Sequence, residues 1–246
     1  MTSNKTFEQM TSRRPSFGRV SDLLTRLVAI GASLSLSGCD VIPQRYRALI
    51  TVQVQTPHGL RSGHGVVEIL AGKALALLPQ EGKAQVELRG EAVAVDLPDG
   101  QTIYALLRTA NGEQSLESVI TAALEPGFRG GAEDFLQAVP KLGRSEMVGR
   151  SAALPPESYP LLVRFRNFKD STSVEEVDPN DLSSSSQGMK LRGVSVEVTD
   201  EPLSTGIEAR LPWLGTTVTN YLSGRKVGGG PSLSDKLDTT LFKRGP

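Results

Sequence analysis

"RYRALITVQVQTPHGLRSGHGVVEILA", Arg45 to Ala71, decides the fold class. Tyr46, Ala48, Ile50, Val52 and Val54 fall on one side of an extended chain, and Arg47, Leu49, Thr51, Gln53 and Gln55 fall on the other. That is a period of two, which a half-buried strand supplies and a helix does not. The proline and glycines of residues 56–65 read as a turn, and "VVEILA" returns as a second strand, so the stretch predicts a hairpin.

Working outward, "AQVELRGEAVAVDL" (84–97) reads as two short strands broken at Gly90, and Asp99-Gly100 marks a tight turn between strands at Val93–Leu97 and Thr102–Leu107. Residues 45–109 therefore predict an antiparallel meander. The pattern then changes. "SLESVITAALEP" (115–126) opens on a serine, carries an early glutamate and stops at a proline, and a second, shorter helix is expected over Glu133–Val139. These form a helical insert near residues 113–150, either a layer over the sheet or a mobile excursion.

Strand periodicity returns in "YPLLVRFRNF" and in "KLRGVSVEVTD", the latter with an irregularity near Gly193. Trp213 is expected to pack against the second sheet, since a lone tryptophan in a β-rich core mostly supplies packing area. Residues 223–246, rich in Gly and Ser at their start, read as a flexible C-terminal tail. The predicted class is mainly β or α+β: antiparallel sheets in a sandwich-like body over 45–222, with the helical insert.

The chain's 246 residues suffice for a sizeable core, and 38% hydrophobic against 22% charged residues excludes wholesale disorder and a multi-span membrane protein. Basic and acidic residues balance at 27 each, so no global field draws in nucleic acid, and none is expected as a partner. A single cysteine excludes an internal disulfide.

Chemistry-bearing motifs are sparse. His58 and His64 with Glu68 suggest a metal pair at a hairpin tip, but no third ligand stands at a recognised spacing, and two exposed loop histidines beside glycines are the favoured reading. Asp178, Asn180 and Asp181 lack the mid-loop glycine and terminal glutamate of a calcium loop. "GRKVGGGP" places its lysine before its glycines and has no Walker Ser/Thr, so it is no phosphate loop. The mature chain has no GxSxG motif. No catalytic residue, metal or cofactor is assigned; a carboxylate-based hydrolase site between the two strand regions is the alternative to a non-enzymatic role.

The start of the chain is more specific. Before Cys39 stand five basic residues (Lys5, Arg13, Arg14, Arg19, Arg26) and two acidic ones (Glu8, Asp22), leaving 22 basic against 25 acidic in the remainder. Charge stops at Arg26 and resumes at Asp40, around an apolar run, Leu27 to Leu36, about half the length a transmembrane helix needs. An amphipathic helix carrying Val20, Leu23, Leu24, Leu27 and Val28 is the competing reading, and it leaves that charge-free window unexplained.

"LSGC" (Leu36, Ser37, Gly38, Cys39) resembles the lipobox of bacterial lipoproteins. The resemblance implies a signal peptide over 1–38, diacylglycerol on the Cys39 thiol, cleavage before it, and a lipidated tether over 39–44. By the same resemblance Asp40 implies retention on the periplasmic face of the inner membrane, with the outer membrane as the alternative. "SRRPSFG" departs from a twin-arginine signal in the position of Phe17, so general secretion is expected. "RGEAVAVDL", "LPPESYPLLVRFRN" and "VEVTDEPLSTGIEARLPWL" resemble a group of proteobacterial exported proteins of unassigned activity, which carries over no catalytic residue. The expectation is a membrane-tethered binding or envelope-assembly protein, partnered by the bilayer through its lipid and by an envelope protein.

Overall fold

The computed structural model describes residues 43–73, 84–182, 188–215, 221–226 and 228–245. Its strands are β1 (Gln44–Thr56), β2 (Gly59–Lys73), β3 (Ala84–Glu91), β4 (Val93–Asp96), β5 (Thr102–Thr109), β6 (Ser151–Ala153), β7 (Pro160–Phe165), β8 (Val174–Glu176), β9 (Lys190–Thr199) and β10 (Lys243–Arg244). Helices α1 (Leu116–Leu124) and α2 (Ala132–Leu142) lie between β5 and β6, and the one-turn α3 (Ile207–Arg210) follows β9. Strands β10-β3-β2-β1-β9-β6 form one sheet and β4-β5-β7-β8 a second, all pairings antiparallel. The sandwich-like β class with a helical insert is the observed one.

The expected first hairpin forms, but its turn is far shorter than residues 56–65. Thr56 pairs with Gly59, so Pro57 and His58 alone make the connection and the glycine-rich residues belong to β2. The reason lies above them. A Cβ on Gly63 would stand 2.2 Å from the Ala94 carbonyl oxygen, and one on Gly65 would stand 2.9 Å from Val93 Cγ2. These glycines remove side chains so that β4 can lie on the face of β2.

β3 and β4 are one path that changes sheets. Residues 84–89 pair beside β2, whereas Val93 to Val95 ride over its Gly65 and Gly63. The path leaves β2 at Gly90, whose φ of +138° suits glycine and whose Cβ would collide with Val67, but the strand runs on to Glu91, so the break expected at Gly90 falls at Ala92. The irregularity near Gly193 is also real: Gln53 faces Gly193 and Val54 faces Leu191, leaving Arg192 as an inserted residue opposite no partner in β1.

The main core lies on the inner face of the large sheet. Ala48, Ile50, Val52, Val67 and Ile69 meet Val93, Val95, Ile103 and Leu162 of the small sheet and Ile120, Leu124, Val139 and Leu142 of the two helices. The insert is therefore a packed layer. Ser115 caps α1 by accepting from the Ser118 amide, and the Tyr46 hydroxyl reaches Thr121 Oγ1 at 2.8 Å to tie the helix to β1. α2 outruns its expected limits by one residue at the start and three at the end, with Pro140 tolerated in its last turn.

A second core covers the other face of the small sheet. Tyr104, Leu106, Leu161 and Val163 pack beneath Ile207, Leu211, Leu237, Leu241 and Phe242. This corrects the flexible tail expected over 223–246. Phe242 is fully buried, its carbonyl accepts from the Ala92 amide, and Lys243 and Arg244 pair with Glu91 and Gly90. The glycines that suggested a linker serve close approach here too: a Cβ on Gly228 would enter the Tyr221 ring, and one on Gly230 would strike the Asp235 carboxylate.

Candidate functional site

At the end of the small sheet where β5 begins and β7 finishes, a cleft of about 720 Å³ opens. The β4–β5 turn supplies Gly100 and Gln101, β5 supplies Thr102 and Tyr104, β7 and the residues after it supply Arg164, Phe165, Arg166 and Phe168, and β8 and α3 supply Glu175 and Arg210. Antiparallel register brings these distant positions together: Tyr104 faces Val163, Arg164 faces Glu175, and Phe165 faces Val174.

The floor is aromatic and fixed from behind. Phe165 stands 5.8 Å from Tyr104 edge-on, 5.4 Å from Trp213 and 5.8 Å from Phe242, all centroid to centroid. Trp213 thus packs against the second sheet as the sequence suggested. Its indole Nε1 also donates to the Phe168 carbonyl at 3.0 Å, holding the 166–170 loop in place. Phe168 nevertheless keeps 51% of its surface exposed at the rim. Burial of Tyr104 pushes its phenol above the ordinary range, so it serves as a neutral hydroxyl.

The walls are cationic. Arg164 Nε and Arg166 Nε approach the two oxygens of the single Glu175 carboxylate at 3.2 and 3.0 Å. Opposite them Arg210 grips Asp96 with both terminal nitrogens, at 2.7 and 3.0 Å, and Thr102 Oγ1 donates to the same carboxylate at 2.7 Å. The Arg210 bonds, with Thr102 helping against modest desolvation, hold the Asp96 carboxyl below the usual carboxylate range.

The arrangement offers guanidinium and hydroxyl groups over an aromatic floor, with Glu175 and Asp96 both engaged in ion pairs. A carboxylate hydrolase needs one carboxyl held up so that it can donate, and Asp96 is shifted the other way. The space between the two sheets is filled by the apolar core, so among the described residues no carboxylate pair faces across it.

The other residues singled out in the sequence lie apart from the cleft. His58 sits exposed in the β1–β2 turn, while His64 lies on the outer face of β2, within 3.1 Å of Thr51 Oγ1 and 3.2 Å of Ser62 Oγ. Glu68 is buried and bonded by Arg47 at 3.2 Å, which removes it as a third ligand. Among the described residues no group of three His, Cys, Asp or Glu could hold a metal ion. Asp178 closes a local turn by accepting from the Asn180 amide and side chain. Leu36, Ser37, Gly38, Cys39 and Asp40 lie outside the described residues.

Sequence reading missed the cleft. Its one visible sign was "RFRNF" (164–168), where arginine and phenylalanine alternate and a second phenylalanine follows past the end of the strand. The chain matches no protein-family model, no curated protein and no solved structure.

Proposed function

We propose that this chain is a lipid-anchored periplasmic protein that binds and does not catalyse. Cys39 carries the lipid, residues 1–38 are removed, and Asp40 keeps the protein on the inner membrane. The observation that carries the reading is that "LSGC" stands a few residues before the folded body in the sequence. The compact unit begins at Ile42 and β1 at Gln44, so cleavage before Cys39 would spare the whole sandwich and leave a tether of only a few residues. Each buried acyl methylene contributes about 0.8 kcal/mol, and the two or three chains of a lipoprotein suffice for stable anchoring where one does not. The binding role rests on a cleft that offers guanidinium donors and an aromatic floor, with its carboxylates committed to ion pairs.

The test is metabolic labelling with a fatty acid in a Gram-negative host. Wild type should incorporate label and enter the membrane fraction, and Cys39→Ala should do neither; equal labelling of the two refutes the anchor. Density-gradient separation of the two membranes then reads the role of Asp40. Asp40→Ser should move the protein toward the outer-membrane fraction, and an unchanged distribution removes Asp40 from the account.

A further inference from the structure

We infer that the occupant of the cleft is an acidic segment of a partner protein that sets a carboxylate on Arg166 and an apolar or aromatic side chain against Phe168. The choice of a protein over a lipid headgroup rests on the anchored reading above, because that reading fixes where the cleft stands.

Charge is the first argument. Three guanidiniums, Arg164, Arg166 and Arg210, face two carboxylates, Glu175 and Asp96, so the walls keep a positive charge. Each guanidinium has five donors in a fixed plane and a carboxylate accepts about four bonds, so two arginines on Glu175 have donors to spare. Arg166 is the open one, with 72% of its side chain exposed. Lys169, 5.8 Å above the Phe168 ring, and Asp170 beside it offset one another.

The second argument is preorganisation. An aromatic side chain half in water costs free energy unless something covers it, and Phe168 is pinned there through its own carbonyl by Trp213. An aromatic on a main chain already held in place, next to an exposed arginine, is the composition of an interface hot spot, since the loop need not be ordered when a partner arrives.

The third argument is position. β4 runs along β2 from Gly65 toward Gly63, and Gly63 pairs with Val52, eight residues from the start of β1 at Gln44. At about 3.4 Å per residue the β4–β5 turn therefore lies beyond roughly 27 Å from where the chain enters the body. A lipid on Cys39 has five residues to reach Gln44, about 17 Å at full extension. With the entry end held near the bilayer by the lipid, the β4–β5 turn that lines the cleft stands at the far end, within reach of other proteins of the envelope.

A displayed library of random twelve-residue peptides, panned on the full chain purified in detergent, tests this. The enriched pool should pair Asp or Glu with Phe, Leu or Trp, and synthetic tryptophan-free members should perturb the emission of Trp213, the only tryptophan in the chain. Arg166→Glu and Phe168→Ala, both at exposed positions, should weaken those peptides about 30-fold. An unenriched pool, a pool without acidic residues, or binding indifferent to both variants overturns the proposal. So does an Arg166-dependent response of the Cys39→Ala chain to phosphatidylglycerol vesicles in place of the peptides. Fatty-acid labelling reads the anchor separately, so failure of the anchor and failure of the peptide site are told apart.

Discussion

Gly63→Ala asks whether the sandwich depends on backbone meeting backbone at β2. The new Cβ would stand 2.2 Å from the Ala94 carbonyl oxygen, 2.9 Å from the carbonyl carbon and 2.9 Å from Val95 Cγ2. Ordinary contact lies above 3.4 Å, so β4 must retreat by about 1 Å, and no rotamer change can help because the struck atom is main chain. Retreat pulls Val93 and Val95, both buried, off the large sheet and opens space beside Val52 and Val67. Overpacking of this kind costs about 1–3 kcal/mol, and an obstacle that cannot rotate away puts Gly63→Ala near 3. Gly100→Ala is the control: nothing lies within 4 Å of its Cβ, and only its φ of +81° is penalised, by about 1–2 kcal/mol. Urea titration of the two variants, with the m-value unchanged, should place Gly63→Ala below Gly100→Ala. A Gly63→Ala unfolding free energy within about 0.5 kcal/mol of wild type would show that β4 does not rest on β2, and the account of the fold would fail with it.

Two further predictions follow from the covering layer and the cleft wall. Phe242→Ala should cost about 3–5 kcal/mol by urea titration, because the ring is fully buried against Tyr104, Phe165 and Trp213; a flexible tail would tolerate the change without effect. Asp96→Asn should lower stability by less than about 1 kcal/mol at pH 7, the pair with Arg210 being exposed on both sides. The folded-state pKa of Asp96 is depressed, so its contribution is present above the unfolded value near 3.8 and is lost as pH falls through the lower folded one. The gap between wild type and Asp96→Asn should accordingly close below pH 4, and a gap that widens there contradicts the ion pair.

Period two made the strands legible, because alternation survives whichever partner a strand finds. Tyr46 to Val54 and Val194 to Val198 carry it cleanly, and both lie in the large sheet with one face turned outward. Leu161, Leu162 and Val163 of β7 are buried on both faces, which the run of three apolar residues signals and alternation cannot. The errors share a cause: glycine. At Gly63, Gly65, Gly228 and Gly230 local sequence says turn or linker, whereas the structure uses the missing Cβ to bring another segment close. Gly63 and Gly65 meet residues of β4 far along the chain, Gly228 and Gly230 meet the nearby Tyr221 and Asp235, and in neither case does the local composition show the approach. The cleft was hidden for the same reason, since Asp96, Arg166 and Arg210 become neighbours only once β4, β7 and the segment after β9 are assembled.

The close approach at Gly63 therefore ties the core to the site. β4 is four residues long, and its two ends do different work: Val93 and Val95 fill the sandwich, while Asp96, next in line, holds Arg210 in the cleft wall. A displacement of β4 large enough to relieve a clash at Gly63 would carry Asp96 with it, and a bidentate grip with both distances at 3.0 Å or less leaves little slack. Peptide binding by Gly63→Ala should fall further than its buried position outside the cleft would suggest, and Gly100→Ala, which lines the cleft but leaves β4 in place, should bind more tightly than Gly63→Ala. Binding that tracked proximity to the cleft in preference to the position of β4 would separate the two cores and make the wall a property of α3 alone.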